Sequence, residues 1–258
     1  FDYNNFLVES NTIDSMRLFY PDKTNDDFLL PVKSVLRDLH GTLYIDKPSN
    51  KSGLKDYPEY PKFVSRGPSK IAYDKKNIFN GAYKKDIFHF AVKPFEIDSM
   101  DNFTIEGLAF PGTFVSGGIL PEFDYEARIM DDYSLGFERA NPPGGYPMYG
   151  GKGHGNIDIS MSEKGFWAKG EIDYNGAKLS SDKIVMMPDS TNAEAESYSI
   201  DKSKIYPRMY AQDVLTHWIP KNDSMVINTK GHDVDIFTDG QVFKGNMVHT
   251  PNQLTGNG

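Results

Sequence analysis

Apolar and polar residues alternate along many short segments of this chain. One segment carries His89 opposite an apolar face made of Ile87, Phe88, Phe90 and Val92. Similar patterns predict further strands at 70–73, 110–116, 122–130, 157–159, 166–174, 183–187, 197–200 and 242–249. Short strands punctuated by glycine, proline, asparagine and aspartate predict an all-β fold of mainly antiparallel strands, in a sandwich, a solenoid or a groove.

One segment, 31–40, has the spacing of a helix instead. Pro31 can occupy the first turn and Gly41 can cap the end. Its apolar residues would then share one face: Val32, Val35, Leu36 and Leu39. An extended alternative stays open, because residues 39–45 alternate and end in a clear strand. The fold prediction therefore includes at most one or two short helices.

Two long segments, 48–68 and 141–155, are rich in proline and glycine, and this composition predicts loops. A change of pattern near residues 98–108 is the best candidate for a domain boundary. We therefore predict two β-rich regions, at 1–105 and 106–258.

A glycine-bounded motif occurs twice in the second region, at 156–170 and at 245–258. With a one-residue gap at Gly165, Phe166 aligns with Leu254. Each copy predicts a strand, a polar turn and the start of a return strand. Such a repeat describes architecture and assigns no activity.

The composition excludes several classes of function. The 258 residues include no cysteine, so disulfides, thiolate metal sites and cysteine nucleophiles are excluded. A net charge of −8 without a basic run argues against nucleic acids and anionic membranes as partners. No stretch approaches the roughly 20 apolar residues of a transmembrane helix. Because the chain opens on Phe1 and stops within the second motif copy, we interpret it as a piece of a longer protein.

Known catalytic and metal-binding motifs do not match. The glycines around Lys152 lack the spacing of a phosphate-binding loop, and the six histidines form no metal-ligand pair. Residues 233–240 depart from the calcium-loop pattern and predict a strand ending in an Asp-Gly turn. Carboxylates at 122–126 and 131–132 could in principle pair for glycoside hydrolysis, but nothing fixes their separation. We predict no catalytic residue, no metal site and no cofactor, so an enzyme is the less favoured interpretation.

Aromatic side chains are the remaining candidates for ligand contact, because their rings can stack on sugars or on apolar ligands. The candidates are Tyr146, Tyr149, Phe166, Trp167 and Trp218. Successive residues of a strand face opposite sides, so either Phe166 or Trp167 should face solvent. We select Tyr146, Tyr149 and Trp167 as the predicted ligand-binding residues, with packing against a neighbouring segment as the alternative role.

Several segments resemble large, uncharacterised, repeat-bearing cell-envelope proteins of Bacteroidota. These segments are 39–46, 50–54, 133–137, 179–182, 187–190 and 251–258. The resemblance implies an envelope protein and carries over no catalytic residue. A looser similarity is to AsmA- and TamB-type envelope proteins, whose glycine-bounded strand repeats build a long sheet that shields lipid tails. The long loops and low apolar fraction of this chain depart from that pattern.

Our leading functional hypothesis is a non-enzymatic structural or binding module of a bacterial cell-envelope protein, in the periplasm or at the outer membrane. Its partners would be other envelope proteins or neighbouring domains of the same chain. Two alternatives remain open. One is lipid or glycolipid carriage in a β-groove, and the other is carbohydrate binding or hydrolysis.

Overall fold

The computed structural model describes residues 1–22, 25–101, 105–236 and 241–257. The protein is all-β, with 57% strand, 6% helix and no helix of seven or more residues in the part described. Its large antiparallel sheet is open. The predicted fold class is therefore confirmed.

The chain divides into two compact units. The N-terminal unit comprises Phe1–Val115 and Glu122–Phe137, and the C-terminal unit comprises Ser116–Pro121 and Glu138–Gly258. This division falls later in the chain than residues 98–108, of which 102–104 lie outside the described residues.

Short antiparallel strands build the N-terminal unit. They are β1 Leu7–Met16, β2 Phe19–Asp22, β3 Asn25–Pro31, β4 Leu36–Tyr44, β5 Lys62–Ser65, β6 Ser69–Ala72, β7 Phe88–Val92, β8 Glu96–Ile97, β9 Ala109–Ser116 and β10 Phe123–Ile129. Its 3-10 helices are Pro48–Asn50, Phe79–Gly81 and Ile105–Gly107. Aromatic rings fill the core, with Phe114 lying 5.3 Å from Phe88 and 4.9 Å from Phe137 between ring centroids.

The predicted helix at 31–40 is wrong, and the extended alternative is correct. Strand β4 pairs with β1, placing Leu36 opposite Met16 and Leu39 opposite Ile13. Both leucines are buried although they lie three residues apart. Asp38 between them has a φ of 57°, which turns the strand and brings both side chains into the core. The helical spacing therefore comes from an irregular strand.

The two proline- and glycine-rich segments contain more regular structure than we expected. Strand β5 lies within 48–68 and pairs with β4. Strand β12, Tyr146–Met148, and the 3-10 helix Tyr149–Gly151 lie within 141–155. Strand β12 pairs antiparallel with residues 153–155, so backbone groups of this segment are hydrogen-bonded within a sheet. The segment 141–155 is therefore not one continuous loop.

The C-terminal unit is built on a meander of long strands. In β11 (Leu135–Arg139), residues 135–137 belong to the N-terminal unit and residues 138–139 to this one. After β12 come β13 Gly153–Ser162, β14 Gly165–Tyr174, β15 Ala177–Met187, β16 Ser190–Ile200, β17 Met209–Ile219 and β18 Ser224–Asn228. The 3-10 helix Pro220–Asn222 lies between β17 and β18. The strands that follow β18 are β19 Asp233–Ile236, β20 Gln241–Lys244, β21 Asn246–Thr250 and β22 Gln253–Asn257. Consecutive strands from β13 to β18 pair antiparallel, β19 pairs with β17 and β20, and β21 pairs with β18 and β22.

One face of this meander, the inner face, is apolar and buried. A directly paired row crosses it through Ile159, Ala168, Ile184, Ala193, Thr216 and Ile227. All six residues are buried. The opposite, outer face carries the polar residues that alternate with them.

Both copies of the glycine-bounded motif are β-hairpins. The first copy lies in β13 and β14, and the second lies in β21 and β22 up to residue 257. The predicted strand, turn and return strand are confirmed for the described residues. Gly258 lies outside them, and descent from one repeated unit stays a prediction.

Helices contribute little to this fold. Within the described ranges, no helix has the combination of length and apolar character that crossing a membrane requires.

Candidate functional site

Trp167 is the one predicted ligand-binding residue whose ring reaches the outer face. Its neighbour Phe166 is completely buried, whereas Trp167 is partly exposed, as the alternation of strand β14 predicts. Trp167 Nε1 donates a hydrogen bond of 2.9 Å to the carbonyl oxygen of Lys164 in the β13–β14 turn. This bond satisfies the polar edge of the indole and fixes the ring against the sheet.

The strand register places Trp167 in a row that crosses the outer face. The directly paired members of this outer row are Ser160, Trp167, Val185, Asn192, His217 and Val226, one from each of β13 to β18. Neighbouring strands lie about 4.8 Å apart, so the row spans about 24 Å.

Adjoining cavities on the outer face lie on both sides of Trp167, and we call them together the outer groove. One cavity of about 440 Å³ is bordered by Trp167, Arg139, Asp158, Lys169 and Asp182. A second of about 430 Å³ is bordered by Trp167, Val185, Asn192, Leu215 and His217. A third of about 320 Å³ shares Asp158, Lys169 and Asp182 with the first.

Charged side chains in the outer groove are paired across strands. Lys169 Nζ lies 3.6 Å from Asp158 Oδ2, and Lys183 Nζ lies 3.1 Å from Glu194 Oε2. The hydrogen bond with Glu194 raises the pKa of Lys183. These pairs place donors and acceptors side by side on a surface that carries both signs of charge.

An imidazole–amide pair lies on the other side of Trp167. His217 Nδ1 and Asn192 Oδ1 share a hydrogen bond of 2.5 Å. Both residues belong to the outer row, next to the apolar Val185 and Val226. This half of the groove is therefore less charged than the half that holds Asp158, Lys169 and Asp182.

The structure contradicts the expectation that Tyr146, Tyr149 and Trp218 are exposed, whereas burial of Phe166 agrees with the alternation of its strand. Tyr146 is 4% exposed and Tyr149 is 8% exposed, and Phe166 and Trp218 are fully buried. The Tyr149 hydroxyl donates to the carbonyl oxygen of Met187 at 2.8 Å, and the Tyr149 ring lies 4.8 Å from that of Trp218. Tyr149 therefore packs against the inner face, which matches the alternative role.

Residues that sequence reasoning missed complete the groove: Asp158, Lys169, Asp182, Asn192 and His217. Each occupies a polar position beside buried neighbours of its strand. The alternation of polar and apolar residues was visible in the sequence. The strand register that brings residues from five strands together was not.

Other motifs take structural roles. Gly150 and Gly151 have φ values of 70° and 89°, so the glycine cluster serves a tight turn, as predicted. Asp233–Ile236 forms β19, as predicted in part, and residues 237–240 lie outside the described residues. Across the described ranges, no group of three or more histidine or acidic side chains could hold a metal ion.

A polar cluster lies buried inside the C-terminal unit around His249 of β21. Tyr198 Oη and His249 Nδ1 share a hydrogen bond of 2.6 Å, and the rings of Tyr174 and Tyr206 lie 5.3 Å and 4.6 Å from the imidazole. Burial lowers the pKa of His249 to about 4 and raises that of Tyr198. The histidine is therefore neutral near pH 7 and ties the C-terminal hairpin to the core.

Comparison with known proteins assigns no family to this chain. No family model matches it, and neither the curated proteins nor the solved structures contain a match. The outer groove is accordingly interpreted from its own geometry.

Proposed function

We propose that this chain is a non-enzymatic binding module that takes a glycan in the outer groove. The observation that carries the proposal is the partly exposed indole of Trp167, fixed by its bond to Lys164 and lying between two cavities that are lined by both apolar and polar side chains. This proposal selects the carbohydrate alternative and retains Trp167 as its central contact.

The combination of an aromatic face with fixed polar groups suits a sugar. The C–H groups on one face of a pyranose ring carry slight positive charge and complement the negative face of an indole. Its hydroxyl groups need both donors and acceptors, which the Lys169–Asp158 and Lys183–Glu194 pairs offer. A ligand of this kind is bound by many modest contacts, so prearranged side chains reduce the entropy that binding loses.

The competing functions find less support in the same geometry. Lipid carriage needs a continuous accessible apolar face, whereas the apolar row of the meander is buried and charged side chains line one half of the outer groove. Hydrolysis needs two carboxyl groups that flank one glycosidic bond. Two of the groove carboxylates, Asp158 and Glu194, are instead each engaged by a lysine. Location in the cell envelope is part of the proposal and rests on the sequence resemblance alone.

Replacement of Trp167 tests the proposal. The purified chain is screened on a glycan array, and each glycan that binds is titrated against Trp167→Ala and Trp167→Phe. We expect Trp167→Ala to weaken binding about tenfold or more, the equivalent of about 1.4 kcal/mol, while Trp167→Phe retains part of the affinity because a ring remains.

The matched control is Tyr125→Ala, which removes a 37% exposed aromatic side chain from the N-terminal unit. It should bind as the unmodified chain does. The proposal fails if no glycan on the array binds, or if Trp167→Ala binds its glycan with unchanged affinity.

A further inference from the structure

We infer that the outer groove binds a linear glycan along its length, across the strands, and recognises an internal stretch of about four or five sugar units. This inference rests on the proposed function and adds the class of ligand to it. It depends on the direction of the outer row, the position of Trp167 within the groove and the different chemistry of its two halves.

The outer row gives the direction and the length. Its members are directly paired, so the row runs perpendicular to the strands from Ser160 on β13 to Val226 on β18. Five strand intervals of about 4.8 Å cover about 24 Å. One interval is close to the length of one pyranose unit in a chain, so successive sugars would meet successive strands.

The position of Trp167 indicates recognition within a chain. A site that recognises the end of a glycan is blocked on one side of the terminal sugar. Here, cavities of about 440 and 430 Å³ border Trp167 on opposite sides. A sugar stacked on Trp167 would therefore have neighbours in both directions. The ring serves as an internal subsite.

The two halves of the groove would contact the chain differently. Around β13 and β14, the side chains of Asp158 and Lys169 offer charged donors and acceptors, with Asp182 of β15 beside them. Towards β18, Asn192 and His217 offer an amide and an imidazole beside Val226. Because the halves differ, the groove would distinguish the two directions of a glycan chain.

Affinity as a function of chain length tests this inference. The intact chain is titrated by calorimetry with β-1,4-linked glucose oligomers and with β-1,4-linked N-acetylglucosamine oligomers, from dimer to hexamer. We expect the association constant of the series that binds to rise about tenfold or more from dimer to pentamer and then to level off, as added contacts are made within one ordered ligand.

The outcomes separate the two proposals. Equal affinity for dimer and hexamer would overturn the extended site and leave a single-sugar site at Trp167. Absence of binding by either series at every length, together with an empty glycan array, would overturn the proposed function and this inference together.

Variants at the two ends of the groove give a second test. His217→Ala and Asp158→Ala should each weaken pentamer binding by a larger factor than dimer binding, because a dimer on Trp167 need not reach both. His232→Ala is the matched control, since His232 is an exposed histidine outside the groove that faces Asp213. Equal factors for dimer and pentamer in both groove variants would contradict the inference.

Discussion

At the scale of single residues, His249 shows how burial of one titratable side chain links stability to pH. Its imidazole shares a hydrogen bond with Tyr198, and its other ring nitrogen, Nε2, has no hydrogen-bond partner in the described part of the chain. The groups that face it are the rings of Tyr174, Tyr198 and Tyr206, none of which carries charge near neutral pH. A proton on His249 would therefore be buried without a counter-charge.

We predict that the folded state loses stability as the pH falls from about 6.5 to about 4. In that window the unfolded chain binds a proton at residue 249, with an ordinary pKa near 6.5, while the folded chain, with a pKa of about 4, does not. The contribution is complete above pH 6.5 and amounts to about 3 kcal/mol at most. Urea unfolding at several pH values measures it.

Because carboxylates titrate in the same range, the comparison is with His249→Gln, which retains a hydrogen-bonding group and does not titrate. Its stability should fall less steeply between pH 6.5 and 4 than that of the unmodified chain. Parallel curves for the two proteins would contradict the prediction.

At the scale of elements, strand irregularities shape the C-terminal sheet. The pairing of β14 with β15 shifts between Ala168 and Gly170, where Asp182 and Lys183 of β15 form a bulge opposite Lys169 beside the outer groove. Gly170 has a φ of 131°, and a Cβ atom there would lie 2.3 Å from the carbonyl oxygen of Asn156. Only glycine fits this position without movement of β13.

We therefore expect Gly170→Ala to destabilise the C-terminal unit by about 2–4 kcal/mol, through backbone strain and a clash with β13. The control is Gly176→Ala, in a turn with a φ of 78° and no atom within 4 Å of the added Cβ, where about 1 kcal/mol is expected. Chemical unfolding of both variants measures the two losses in the free energy of unfolding. Similar losses at the two positions would show that the bulge does not depend on glycine.

Irregularities of the same kind set the limit of prediction from sequence. Strands such as β7 and β14 alternate regularly and were predicted, and so was the exposure of one residue of the pair Phe166 and Trp167. Strand β17 was missed because its buried positions change phase between Ala211 and Val214, where Asp213 has a φ of 49°. Local patterns show which residues alternate. They do not show where the backbone turns out of phase or which strands become neighbours.

At the scale of the whole molecule, the two units are interleaved along the chain. Ser116–Pro121 belongs to the C-terminal unit, although residues on both sides of it belong to the N-terminal unit. Ile119 is fully buried, and its carbonyl oxygen accepts a hydrogen bond of 2.8 Å from the Tyr149 amide. The amino-acid composition does not mark residues 116–121 as part of the C-terminal unit. The sequence therefore predicted a single domain boundary.

Both tryptophans of the chain lie in the C-terminal unit, so their fluorescence reports on that unit. We predict that Ile119→Ala lowers the stability measured by tryptophan fluorescence by about 2–5 kcal/mol, because it leaves a cavity in the core. Ile71→Ala, at an equally buried position of the N-terminal unit, should change this signal less. A larger effect of Ile71→Ala would show that Ser116–Pro121 does not stabilise the C-terminal unit.

The interleaving also bears on how the chain folds while it is being made. The ribosome releases residues 116–121 before residues 122–137, yet their packing partner Tyr149 follows both. Domains tend to fold as they emerge from the ribosome. The N-terminal unit would therefore fold while residues 116–121 are already synthesised but their packing partners in the C-terminal unit are not. Apolar Ile119 and Leu120 would remain uncovered during that interval. The speed of translation past residue 149 thus becomes a factor in the yield of native protein.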